Sequence, residues 1–197
     1  MTIFEMIFDP ELANQGVNAI SLVEHPAIES NFIALKADDM PVKLSKDEER
    51  RVVLGAVLIP DKPILRRDPK TKEEFYIYFS SATIQNVAEH FLLRGNQSKA
   101  TLEHEKSAAG ITLVESWLVV DPEKDKSAFY ELGYPVGTWV AALKINNTDI
   151  WDSIKAGDVL GFSIEGYFGM EMRDIELKAT KKRTISEMIE DLASQFI

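Results

Sequence analysis

Cysteine is missing from all 197 residues of this chain. Disulfides, thiolate metal sites, iron–sulfur clusters and a cysteine nucleophile are thereby excluded, and the absence agrees with a reducing compartment. Basic residues are also in short supply. There are 22 Lys and Arg against 32 Asp and Glu, for a net charge of −10. Gripping a phosphate backbone needs clustered cations, so nucleic acid is not an expected partner, and anionic membrane surfaces are disfavoured on the same ground. No apolar run approaches the roughly 20 residues of a membrane-spanning helix. The opening stretch, MTIFEMIFDPELANQG, brings acid early and carries no basic segment. It does not read as a secretory signal, and a cytoplasmic location is expected. Histidine is scarce as well. Only His25, His90 and His104 are available for imidazole chemistry.

What is present suits one globular domain with a real core. Apolar residues make up 45% and charged residues 27% of the chain, an ordinary soluble balance. TIFEMIF reads as a strand, and AISLVEHPAIESNFIAL as strand pieces around Pro26. The polar KADDMPVKLSKDEERR reads as a linker. This places an N-terminal strand and arm at residues 1–44 and a main body at 45–178. RRVVLGAVLIP, EFYIYFS, GITLVESWLVVDP, GTWVAALKI and VLGFSIEGYFGMEM have the length and character of strands, with KATLEHE as a shorter candidate. DKPILRRDPKTKEE reads as loop. A helix follows Ser80 or Ser81, with an apolar face of Ile84, Val87, Ala88, Phe91 and Leu92 and a stop at Gly95. NTDIWDSIKAG is a second, shorter helix, capped by Asn147 or Thr148 and closed by Gly157. Residues 179–197 read as a C-terminal amphipathic helix, with Thr184 and Glu187 as a capping box and an apolar stripe of Ile185, Met188, Ile189, Leu192 and Phe196. Many strands with few helices indicate an α+β fold, mostly antiparallel and barrel-like.

The chemistry-bearing residues are few enough to weigh singly. His90 lies off the apolar stripe of its helix and reads as a surface residue. His25 precedes Pro26, which favours extended backbone and a structural role. His104, in TLEHE, sits between polar loops. If that stretch is a strand, Glu103 and Glu105 point to the opposite face. Metal binding lacks support: no H-x-H or H-x-x-x-H pair occurs, and DPEKDKS lacks the full calcium-loop pattern. No cofactor is expected. In GFSIEGYF, alternation puts Ser163 and Glu165 on one face and Phe162 and Ile164 on the other. The stretch has no G-x-S-x-G elbow. Ser163 is then either a small residue packed in a strand or a strand-borne nucleophile. The latter needs a base within hydrogen-bond reach, and His104 is the suitable one in the main body.

Taken in order, AISLVEHPAIESNFIAL, VVLGAVLIPDKPILR, YIYFS, LEHE, ITLVESWLVVDPEKDKSA, YPVGTWVAALKI and IKAGDVLGFSIEGYF resemble the XkdF-like serine proteases of tailed phages. The resemblance spans roughly residues 17 to 168. These are prohead proteases, related to the phage and herpesvirus maturation proteases. The resemblance implies a barrel-like protease core, Ser163 as nucleophile and His104, on a neighbouring strand, as general base. Related proteases complete the set with a histidine or an acid, usually after the serine. No histidine follows Ser163, and Asp174 and Glu176 fall in a segment without a matching block; Glu115 in LVESW lies within the matching blocks, on the strand after His104, and is taken as the third member. The implied function is a serine endopeptidase that cleaves scaffold or major capsid protein, and also itself, inside a procapsid in the host cytoplasm. Its partners would be those substrates and further copies of itself. The alternative is an inactive assembly or scaffold-binding protein of the same fold.

Overall fold

The computed structural model describes residues 2–35 and 50–172. The body boundary expected near residue 45 and the helix expected at 179–197 lie outside the described residues. Among the described residues, twelve strands fall into three four-stranded sheets. The first sheet has β1 (Ile3–Ile7) between β12 (Gly169–Met172) and β6 (Glu74–Tyr78), with β5 (Ile64–Arg67) outside β6. The second runs β11 (Gly161–Tyr167), β2 (Gly16–Val23), β7 (Ala100–Leu102), β8 (Lys106–Ser107). The third runs β3 (Ile33–Leu35), β4 (Val52–Leu58), β10 (Trp139–Ile145), β9 (Ile111–Leu118). Two pairings are parallel, β1 with β6 and β2 with β7, and the others are antiparallel. The fold is α+β, as the sequence indicates. The sheets are open, however, and do not close on themselves as the barrel-like expectation required. Each of β1, β2 and β3, all from the first 35 residues, joins a different sheet, so those residues are woven through the fold.

The apolar runs of β4 and β10 are explained by burial on both faces. Alternate residues of β10 are divided between two clusters: Trp139, Ala141, Leu143 and Ile145 enter the main core, while Val140 and Ala142 join a smaller one with Val52, Leu54 and Val119. A strand covered on one side only would have kept a polar face. α1 (Ser81–Leu93) begins where Ser80 Oγ accepts the Thr83 N–H, and it buries Ile84, Val87, Ala88 and Phe91. The Phe91 ring meets the fully buried Trp139 edge-on at 5.6 Å. Burial of a large apolar side chain of this kind stabilises by about 1.5–3 kcal/mol.

Two local readings change in the structure, and one short helix joins them. ILRR, read as loop, is β5, whose outward residues alternate with buried Ile64 along an edge. A one-turn helix, α2 (Lys126–Phe129), starts at Asp125, whose carboxylate accepts from Ser127. The last apolar stretch, read as one strand, is β11 and β12 in different sheets, separated at Phe168. α3 (Thr148–Ala156) has the cap and glycine stop that its sequence announces: Asn147 accepts from Ile150, and Gly157 is left-handed.

Candidate active site

The second sheet carries the site. β2 is its middle strand and is buried over most of its length. Ser21 of β2 lies directly opposite Ser163 of β11 on one side and opposite Thr101 of β7 on the other. Directly opposed residues project from the same face of a sheet, so the three hydroxyls form a row across it. Glu165 lies two residues beyond Ser163 and, by strand alternation, on that same face. Its cross-strand partner is Ala19, too small to crowd a carboxylate.

His104 reaches this face from a turn. β7 and β8 close at Leu102 and Lys106, so Glu103, His104 and Glu105 form the connection. TLEHE is therefore a strand for part of its length only. Glu103 and His104 are both left-handed, with φ of 51° and 59°. Such a conformation costs a non-glycine residue about 1–2 kcal/mol and persists where surrounding contacts over-determine it. The contacts are visible: the Glu103 N–H donates to the Leu22 carbonyl at 3.0 Å and the His104 N–H to Ser21 Oγ at 3.1 Å. The Glu103 carboxylate accepts the Glu24 N–H at 2.7 Å.

The turn delivers the imidazole to Glu165. His104 Nδ1 lies 3.2 Å from Glu165 Oε1, with the two side chains 43% and 31% exposed. Thr101 Oγ1 donates to the same carboxylate oxygen. With Nδ1 committed to a carboxylate, Nε2 is the nitrogen left for a substrate or a nucleophile. Ser163 is buried at 9% exposure, and its hydroxyl hydrogen-bonds to none of the described residues. It is also not among the polar atoms sealed from solvent without a partner.

The other sequence candidates lie elsewhere. Glu115 is in β9 of the third sheet, opposite Ala142, and its carboxylate is bound by Lys126 Nζ. That ammonium also lies over the Trp117 and Tyr130 rings, 5.3 and 5.9 Å from their centroids. Glu115 is thus part of a staple between β9 and α2. Asp174 and Glu176 fall outside the described residues. His90 packs against the Phe8 ring at 5.2 Å, and His25 is exposed beside Glu24. The acid that meets His104 is Glu165. Its signal was present in the alternation of Ser163 and Glu165 along one strand. What alternation lacked was the partner, because β2, some 80 residues earlier than β7 in the chain, stands between the two. Among the described residues no group of three or more His, Asp or Glu side chains is placed to hold a metal ion. No helix among them is long and apolar enough to cross a membrane.

The family model described as "Putative phage serine protease XkdF" matches residues 40–171. The phage-like element PBSX protein XkdF of Bacillus subtilis (strain 168) is 26% identical over 167 residues, covering 79% of this chain and 54% of that protein. The uncharacterized protein YqbD of the same organism is 24% identical over 164 residues, covering 79% of this chain and 46% of YqbD. The chain thus spans about half the length of the curated relatives it matches. No solved structure gives a significant match.

Proposed function

Because this chain belongs to the family of putative phage serine proteases named for XkdF, we propose that it is a serine endopeptidase in which Ser163 is the nucleophile, His104 the general base and Glu165 the acid that orients the imidazole. The observation that carries this reading is the His104–Glu165 pair, 3.2 Å apart, on the sheet face that also bears Ser163. His104 Nε2 takes the Ser163 proton as Oγ attacks the peptide carbonyl carbon. The proton on Nδ1 stays there, hydrogen-bonded to the Glu165 carboxylate, which stabilises the imidazolium. Collapse of the tetrahedral intermediate breaks the C–N bond, and the imidazolium gives its proton to the leaving amine. Water, deprotonated by the same imidazole, then attacks the acyl-enzyme, the C–Oγ bond breaks to release the acid product, and the imidazolium returns its proton to Ser163 Oγ. The proposed substrates are scaffold and major capsid proteins during phage head assembly, within the procapsid, with self-cleavage as a further substrate event.

A fluorescent phosphonate tests the chemistry directly. The protein labels, Ser163→Ala does not, and coexpressed capsid and scaffold proteins are processed by the former alone. Full processing by Ser163→Ala defeats the proposal. One observation favours the second reading, an inactive assembly protein: no hydrogen bond joins Ser163 to His104. Catalytic hydrogen bonds are often long before substrate binds, and absence of labelling in an assembly-competent protein is the result that selects this second reading.

A further inference from the structure

Ser21 is the residue that both halves of the site share. It is completely buried in the middle strand, and it faces Ser163 across β11 and Thr101 across β7. The pairing with β7 uses the backbone groups on either side of it: the Ile20 N–H donates to Lys99, and the Leu22 carbonyl accepts from Glu103. The peptide groups of Ser21 itself therefore turn toward Ser163, and its side chain is left to serve the face. Buried hydroxyls find partners in the great majority of cases. This one accepts the main-chain N–H of His104, not a side chain, at 3.1 Å.

The bond fixes the part of His104 that cannot adjust by a rotamer change. His104 and Glu103 are left-handed. A turn of that kind would relax toward right-handed or extended backbone if its N–H groups were released, and the imidazole would swing with it. The two bonds that prevent this both end on β2, at the Leu22 carbonyl and at Ser21 Oγ. The Leu22 bond belongs to the ordinary ladder. The Ser21 bond exists because that position is a serine.

We propose that Ser21 is a positioning residue, which sets the imidazole of His104 relative to Ser163 by holding the His104 amide on the strand opposite the nucleophile. The inference rests on the serine-protease reading of the site. It goes beyond the family match, which begins at residue 40. Ser21 takes no part in bond making, and it acts through the main chain of His104.

The test compares the full-length protein with Ser21→Ala and Ser21→Thr, the latter keeping a hydroxyl oxygen at the same point. Two quantities are read: the rate of phosphonate labelling per folded molecule, and hydrogen exchange at the His104 amide. Misplacing a reacting group by an ångström costs about 100-fold. Ser21→Ala is expected to slow labelling by roughly 10- to 100-fold, to accelerate exchange at His104, and to leave exchange in β4 and β10 unchanged. Ser21→Thr is expected to recover most of both. If Ser21→Ala fails to fold, Ser21→Cys, a weaker acceptor of similar volume, takes its place in the comparison. Labelling and His104 exchange equal to the parent in a folded variant overturn the proposal. So does a loss that vanishes after correction for the folded fraction. A parent protein that does not label at all defeats the protease reading instead, and the exchange comparison then decides the Ser21 bond by itself.

Discussion

Thr101 Oγ1 donates to the carboxylate oxygen of Glu165 that faces His104 Nδ1. One oxygen therefore has two partners, and the threonine holds it in place whether or not the imidazole carries a proton. Thr101→Val keeps the shape and removes the donor. A hydrogen bond to a charged group is worth about 1.5–3 kcal/mol, less where solvent reaches it. A fall of roughly threefold to thirtyfold in kcat/KM is expected, with thermal stability nearly unchanged. Undiminished turnover would show that Glu165 needs no second anchor.

The two candidate acids are separable by mutation. Glu165→Gln removes the charge beside His104 and is expected to lower turnover by roughly 100- to 10,000-fold. Glu115→Gln breaks the bond to Lys126 in another sheet. The partly exposed pair contributes at most about 1 kcal/mol, so turnover should stay near that of the parent. Peptide hydrolysis by both variants decides the assignment, and a severe loss in Glu115→Gln with a mild one in Glu165→Gln reverses it.

The strand that carries Ser163 and Glu165 also holds a glycine with no room for substitution. A Cβ on Gly166 would lie 2.2 Å from the Gly16 carbonyl oxygen and 3.0 Å from its carbon. Both are backbone atoms, at the irregularity where β11 steps between Glu165 and Gly166 against β2. Gly166→Ala is expected to destabilise by about 1–3 kcal/mol in denaturant unfolding and to reduce labelling of the remaining folded protein by displacing Glu165. A neutral Gly166→Ala would mean that the strand edge yields easily.

Acid should weaken the loop before α2. Desolvation at Asp125 opposes its ionisation, but the N–H groups of Val120, Asp121 and Ser127 outweigh it and hold the carboxyl below its ordinary range. A depressed folded value means that the stabilisation is complete above the unfolded value, near pH 4, and fades as pH falls through the folded one. Asp125→Ala should cost about 1 kcal/mol at neutral pH, and the gap from the parent should close in acid. Urea unfolding at pH 7 and pH 3 measures it. A gap that widens in acid would contradict the assignment.

Elements whose cause is local were readable from the sequence. The Ser80 cap with its apolar stripe gives α1, Asn147 and Gly157 bracket α3, and the runs VVLGAVL and WVAALKI give β4 and β10. Ser163 and Glu165 share a face for the same reason, strand alternation. What was hidden depends on pairing between distant segments. Whether Glu103–Glu105 continues a strand or turns is settled by β8 pairing back on Leu102. Which acid meets His104 is settled by β2, inserted between β7 and β11. A six-residue stretch such as DKPILR carries no sign that β6 waits to pair with half of it.

The order of the site sheet also bears on the life of the nascent chain. Its strands come from residues 161–167, 16–23 and 100–107, so the early strand waits between two partners made later. Synthesis at about 5–20 residues per second puts several seconds between the emergence of the middle strand and that of the serine. Until then β2 presents apolar residues and an unpaired edge, a surface open to wrong partners. Proteolytic competence, on the reading above, is withheld over the same interval, because Ser163 and Glu165 arrive together on the strand that completes the sheet. A polypeptide stalled before residue 161 would be prone to aggregate, and it could cut nothing.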